Sequence, residues 1–374
     1  MQAGALSRRA FAQLLGAGAA LISAPQLVAG NFTEPGRTAR KSSGVVRLSS
    51  NENPYGPSAA ALVAMREAFD LAWRYPDEHA EALIADLARL HGVAGDRVLI
   101  GDGSSEILKL AAAAYTGPDR KLVMADPTFE AIAFCAHATR AAIVKVPLDA
   151  SYGHDLSKML DAAKGAGLVY ICNPNNPTAS ITPKSALRAF LDAVPATTMV
   201  LVDEAYHHYA ESAEYESVIP LVAPHPNLIV SRTFSKIFGM AGLRLGYAVA
   251  QPAAIQRLGE EGVWDSVNIM AIAAARASIG DAQHVALGKK RNRETKARLC
   301  NTLDGLGYRY IPSEANFLMI DLRRDVKPVI GAMKAKRVEV GRLFPPLPHH
   351  LRITIGTPEQ MDAFVAAFKD VMAA

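Results

Sequence analysis

Seven short apolar runs recur between residues 97 and 250, at 97–100, 121–125, 142–146, 168–172, 199–202, 228–231 and 245–250. Runs of this length predict buried strands, and most of the stretches between them, such as 104–115 and 183–193, predict helices. Strands alternating with helices predict an α/β fold built on a mainly parallel sheet. Beyond about residue 255 the pattern changes. Two long helical stretches, about 263–279 and 283–306, lead into strands near 308–321, 338–342 and 350–355, with helices around 325–336 and 358–372. This predicts a large domain over 73–255 with a seven-stranded sheet and a smaller α+β domain over 256–374, to which a segment near 45–72 is joined.

The chain has 374 residues, half of them apolar and a fifth charged, so it holds ample material for a core. Its net charge is +4, and two of those positives, Arg8 and Arg9, lie in an acid-free stretch of thirty residues. The remaining +2 argues against a general nucleic-acid surface. Ser7-Arg8-Arg9-Ala10-Phe11, the uncharged run 12–24, and small residues near Val28-Ala29-Gly30 read together as a twin-arginine export signal over 1–30. The expected destination is the periplasm, and 31–44 reads as a linker. The apolar run is too short for a spanning helix, so no stable membrane anchor is expected. Cys135, Cys172 and Cys300 are far apart, and His207-His208 and His349-His350 are adjacent pairs that point two ways. Neither pattern suits a metal site or a disulfide framework.

The residues suited to chemistry follow the predicted strands, where open α/β sheets bind their ligands. After the first come Gly101-Asp102-Gly103-Ser104-Ser105-Glu106, a glycine turn opening a helix whose free amides suit a phosphate. After the second stands Asp126-Pro127-Thr128-Phe129, with a ring that could stack on a flat ligand. The fourth ends in Asn173-Pro174-Asn175-Asn176-Pro177-Thr178, a rigid loop presenting amides. The fifth ends in Asp203-Glu204-Ala205-Tyr206, and the sixth in Thr233-Phe234-Ser235-Lys236, eight residues before Arg244. Each has a bland reading alone. Together they supply what a pyridoxal-phosphate enzyme needs: a reactive amine, a carboxylate for a pyridine nitrogen, donors for a phenolic oxygen, a stacking ring and a phosphate cradle.

From Arg47 onward the chain resembles the fold-type I, class I/II aminotransferases, and among them most resembles histidinol-phosphate aminotransferases. The marks are those loops together with Ser50-Asn51-Glu52-Asn53-Pro54-Tyr55-Gly56-Pro57, Tyr75-Pro76-Asp77, and Leu351-Arg352-Ile353-Thr354-Ile355-Gly356-Thr357. The resemblance implies pyridoxal 5′-phosphate as cofactor and Lys236 as the Schiff-base lysine and proton-moving base. It implies Asp203 on the pyridine nitrogen, Asn176 and Tyr206 on the phenolic oxygen, and Phe129 stacked on the ring. Amides of Ser104 and Ser105, with Thr233, Ser235 and Arg244, would take the phosphate, and Tyr75 would reach the neighbouring subunit's phosphate in a homodimer with shared sites. Arg352 would fork the substrate's α-carboxylate, the segment Asn51–Pro57 with Asn53 would form a mobile cover over the substrate, and Arg342 would stand as a second substrate cation.

The chain departs from the family pattern in two places. Ala179 stands where the family usually has glycine, which predicts strained backbone. Ser266-Val267 replaces the Pro-Tyr usual before the asparagine at 268. With Arg342 set among apolar residues (Leu343, Phe344, Pro345, Pro346, Leu347), this favours a carboxylate-bearing amino acid over histidinol phosphate as donor, with a 2-oxo acid such as 2-oxoglutarate as acceptor. Two rivals stand beside transamination: decarboxylation of an amino-acid phosphate on the same machinery, and a secreted ligand-binding protein.

Overall fold

The computed structural model describes residues 44–373; the predicted export signal and all of the predicted linker but Gly44 lie outside the described residues. The first strand, β1 (Val46–Arg47), is followed by the strands of the main sheet: β2 (Val98–Gly101), β3 (Lys121–Asp126), β4 (Ile143–Pro147), β5 (Ala166–Cys172), β6 (Met199–Asp203), β7 (Leu228–Thr233) and β8 (Gly246–Ala250). Their order is β2-β8-β7-β6-β5-β3-β4, parallel except for β8, which runs against both neighbours. All seven residues of β5 are buried, as expected of a strand covered on both faces. The two-residue period divides neighbouring side chains between two cores. Val169, Ile171, Val200 and Val202 enter one, whereas Leu168, Tyr170, Cys172 and Leu201 enter the other.

From β3 the chain steps outward to β4, returns past β3 to β5, and continues away through β6 and β7. Such a reversal of strand order opens a crevice at the carboxyl ends. The loops after β3, β5, β6 and β7 and the helix start after β2 meet there.

A second sheet, β12-β10-β9, is antiparallel and comprises β9 (Arg309–Ile311), β10 (Phe317–Asp321) and β12 (His350–Thr354), while β11 (Val338–Glu339) pairs in parallel with β1. The predicted strand at 308–321 is thus two strands separated by a turn. Leu48 joins the core between these sheets and the helices Ala282–Gly305, Val326–Ala335 and Pro358–Ala373. The segment near 45–72 therefore divides. Its first residues form a two-stranded sheet with β11 beside the smaller sheet's core, while Ala61 of the helix Ala59–Glu67 packs in a core of the main sheet.

The predicted helix at 263–279 is corrected to Ile269–Ile279. Asp265 adopts a left-handed φ of 55°, and Asn268 caps the helix by accepting a hydrogen bond from the Ala271 amide at 2.9 Å, so helix cannot extend back through 263–268. Ala271, Ile272, Ala274 and Ala275 of this helix enter the main sheet's core, although they lie beyond residue 255. The change of pattern there marks the end of the sheet, not of its core. Ala179 adopts the expected left-handed backbone, φ 60°, with its methyl fully buried. Among the described residues no helix is long and apolar enough to cross a membrane.

Candidate active site

The crevice holds a cavity of about 280 Å³ lined by residues from both sheets. Twelve of the fourteen residues singled out from sequence line it: Ser104, Ser105, Phe129, Asn176, Asp203, Tyr206, Thr233, Ser235, Lys236, Arg244, Arg342 and Arg352. Two do not. Asn53 turns away, its Nδ2 donating to the Ile237 carbonyl at 2.7 Å and its Oδ1 accepting from the Tyr55 amide. Tyr75 is 80% exposed and lines a separate surface hollow.

Asp203 ends β6 and is buried. Tyr170 Oη donates to its Oδ2 at 2.9 Å, and the Ala205 amide donates to its Oδ1 at 3.1 Å. Burial pushes the carboxyl up to about 6 against these two bonds. Lys236, on the loop after β7, reaches the Asn51 carbonyl at 3.3 Å and lies 5.4 Å from the centre of the Tyr206 ring. Burial, helped by the charge of Arg352, lowers this amine to about 8. Tyr206 Oη accepts from Asn51 Nδ2 at 3.0 Å, and burial raises its phenol well above the ordinary value.

Arg352 projects from β12. It donates to Asn176 Oδ1 at 2.7 Å and to the Ser49 carbonyl at 2.6 Å, while its Nε is buried without a partner. The first bond fixes the Asn176 amide, leaving Nδ2 as a donor. Burial holds the guanidinium down at about 10. Arg342, in contrast, is half exposed and paired with Glu130 at 2.5 Å.

At the other end, the helix Ser104–Tyr115 begins on Gly103 with no side-chain cap, so its first amides have no intrahelical partner. Gly103 has φ 76°, and a Cβ there would fall 2.0 Å from Arg244 Nη2. A Cβ on Gly246 would strike the Ser104 amide nitrogen at 2.2 Å. Both glycines are needed to bring guanidinium, β-strand and helix start together. Arg244 Nη1 donates to Ser235 Oγ at 3.3 Å, and Ser235 accepts from Thr233 Oγ1 at 2.9 Å.

Sequence reasoning missed Tyr170 and Glu130 and did not single out Asn51, whereas Phe344, named among the apolar residues around Arg342, does line the cavity. Tyr170 was legible: it lies two residues before Cys172, whose register partner is Asp203, so alternation puts its hydroxyl on the aspartate's face. Asn51 lay inside the quoted motif two positions from Asn53, and only the paths of the two backbones distinguish them.

The chain matches the aminotransferase class I and II family over residues 43–368. It belongs to that family. It is 40% identical over 333 residues to a histidinol-phosphate aminotransferase of Moorella thermoacetica, covering 88% of this chain and 86% of that one. It is 42% identical over 329 residues to the protein of the same name from Symbiobacterium thermophilum, covering 87% and 90%. Its fold is similar to a putative histidinol-phosphate aminotransferase from Erwinia carotovora atroseptica (33% identity, TM-score 0.85, 87% and 95% covered). It is similar also to the Sinorhizobium meliloti histidinol-phosphate aminotransferase in complex with pyridoxal 5′-phosphate (27% identity, TM-score 0.83, 88% and 91% covered). The protein is a pyridoxal-phosphate-dependent aminotransferase.

The cavity fits that cofactor on its own terms. Lys236, Arg244, Arg342 and Arg352 face only two lining carboxylates, Asp203 and Glu130, so the site favours anions. The uncapped helix start beside Arg244 is built for a phosphate, and the buried Arg352 Nε awaits an acceptor.

Proposed function

We propose that this aminotransferase takes a donor bearing an α-carboxylate and an uncharged, preferably aromatic side chain, and passes its amino group to a 2-oxo acid such as 2-oxoglutarate. The bound cofactor supplies an aldehyde that takes up the amino group and a ring that draws electrons from the substrate's Cα. In this reading Lys236 Nζ holds the cofactor and then moves the proton at Cα. Asp203 keeps a proton on the pyridine nitrogen, with Tyr170 holding the carboxylate in place. Asn176 Nδ2 and Tyr206 Oη donate to the phenolic oxygen, Phe129 covers one ring face, and the Ser104 and Ser105 amides with Thr233, Ser235 and Arg244 bind the phosphate.

The observation that carries the substrate reading is the difference between the two arginines. Arg352 is buried with a free Nε, suited to forking a carboxylate. Arg342 is already neutralised by Glu130 and stacked on Phe344, 4.3 Å from its ring centre. A phosphate dianion therefore meets one available arginine, and a flat apolar side chain meets Phe344. The names of the two relatives favour a second reading, histidinol phosphate as donor. Measuring kcat/KM for phenylalanine, tyrosine, aspartate and histidinol phosphate with 2-oxoglutarate separates them. A tenfold preference for histidinol phosphate, roughly 1.4 kcal/mol, would reverse the order.

A homodimer with shared sites is also proposed, supported by the exposed aromatic group of Phe69, Trp73 and Tyr75. Export to the periplasm is proposed from Arg8 and Arg9, the uncharged run 12–24 and the small residues near Val28-Ala29-Gly30. Changing both arginines to Lys should keep the activity inside the cell, and undiminished periplasmic activity refutes the export signal.

A further inference from the structure

Glu130 stands where the loop after β3 turns into the helix Ala131–Ala138. It occupies that helix's N-cap position, yet its side chain caps nothing. The carboxylate instead reaches Arg342, 212 residues further along the chain, and both residues line the active-site cavity. The Arg342 and Glu130 side chains are 53% and 38% exposed, so water reaches the pair and it exchanges partners readily. Arg342 is held independently of Glu130, because its Nη1 donates to the Leu343 carbonyl at 3.0 Å and its guanidinium lies against Phe344. The Arg352 guanidinium lies 5.1 Å from the centre of the same ring. Two arginines thus share one aromatic ring, one buried with a spare donor and the other half exposed and paired.

A transaminase passes two substrates through one pocket. An uncharged donor side chain gives Arg342 no partner, and a cation covered by an apolar group without one is costly. An acidic acceptor brings a second carboxylate that needs a cation. Resting on the reading that Arg352 takes the α-carboxylate, we propose that Glu130 is the specificity-determining residue that serves both. It neutralises Arg342 while the bound side chain is uncharged, and it yields Arg342 to the distal carboxylate of a dicarboxylate co-substrate. The Glu130 side chain is partly open to solvent, so its carboxylate can turn into water when displaced.

The test uses the holoenzyme and two carboxylates that cannot react because they carry neither amino nor keto group: 3-phenylpropionate and glutarate. Dissociation constants are measured by titration calorimetry for wild type, Glu130→Gln, Arg342→Gln and the double variant. Freeing Arg342 in Glu130→Gln should tighten glutarate about fivefold or more and weaken 3-phenylpropionate about twofold or more, because the cation under its apolar ring has lost its partner. The glutarate gain should vanish in the double variant. Unchanged glutarate binding in Glu130→Gln, or equal shifts for both ligands, overturns the proposal. Arg352→Gln tests the underlying reading separately. If 3-phenylpropionate binds that variant as it binds wild type, the α-carboxylate assignment falls, while the glutarate response to Glu130→Gln still decides the role of Glu130. A wild-type holoenzyme that binds neither ligand overturns both.

Discussion

Lys236 Nζ makes one hydrogen bond, to the Asn51 carbonyl at 3.3 Å, and burial lowers its ammonium to about 8. Capture of an aldehyde requires the neutral amine. The rate at which the apoprotein takes up cofactor should therefore climb about tenfold per pH unit below 8 and level off above it. Stopped-flow absorbance from pH 6 to 9.5 checks this, and a flat profile, or one still rising steeply at pH 9.5, contradicts it. The place of this lysine in the cavity was legible because it follows the end of a strand that delivers residues to the crevice. The Glu130–Arg342 pair was not, since nothing local joins residues 212 positions apart. Their meeting depends on how β12 and the loop before it are brought against the main sheet, and no pattern in either segment encodes that.

At the scale of elements, the proposed phosphate cradle depends on the start of the helix Ser104–Tyr115. Gly103 combines φ 76° with a Cβ path that ends in the Arg244 guanidinium. Gly103→Ala should destabilise the protein by about 1–3 kcal/mol and weaken cofactor binding at least about tenfold, because the new methyl would push the Arg244 guanidinium away from the helix start. Thermal unfolding and fluorescence titration of the apoprotein read the two effects separately, and an unchanged dissociation constant refutes the cradle. The seven main strands were readable because buried parallel strands are near-continuous apolar runs. Residues 263–268 were misread because apolar Val263, Trp264 and Val267 imitate a helical face. Only Val267 is buried, whereas Trp264 is 91% exposed, so the pattern reflects surface apolar residues and not a core stripe.

For the whole molecule, the main sheet, the smaller sheet and the β1 segment all deliver residues to one cavity, so the proposed cofactor and substrate contacts come from parts distant in sequence. Tyr75 is the exception, 80% exposed on its own subunit. If it completes a neighbour's site, mixing Tyr75→Phe with Lys236→Ala protein should restore up to about a quarter of wild-type activity, since random pairing leaves one intact site in half the dimers. No recovery above the separate variants contradicts shared sites. Among the described residues, Lys236 is the one amine that lines the cavity. Reduction of the holoenzyme with borohydride fixes the cofactor to whichever amine carries it, and peptide mass spectrometry then locates the attachment. The cofactor should be found on Lys236, in the peptide that runs to Arg244. Attachment to any other lysine, in an enzyme that still transaminates, would contradict the account.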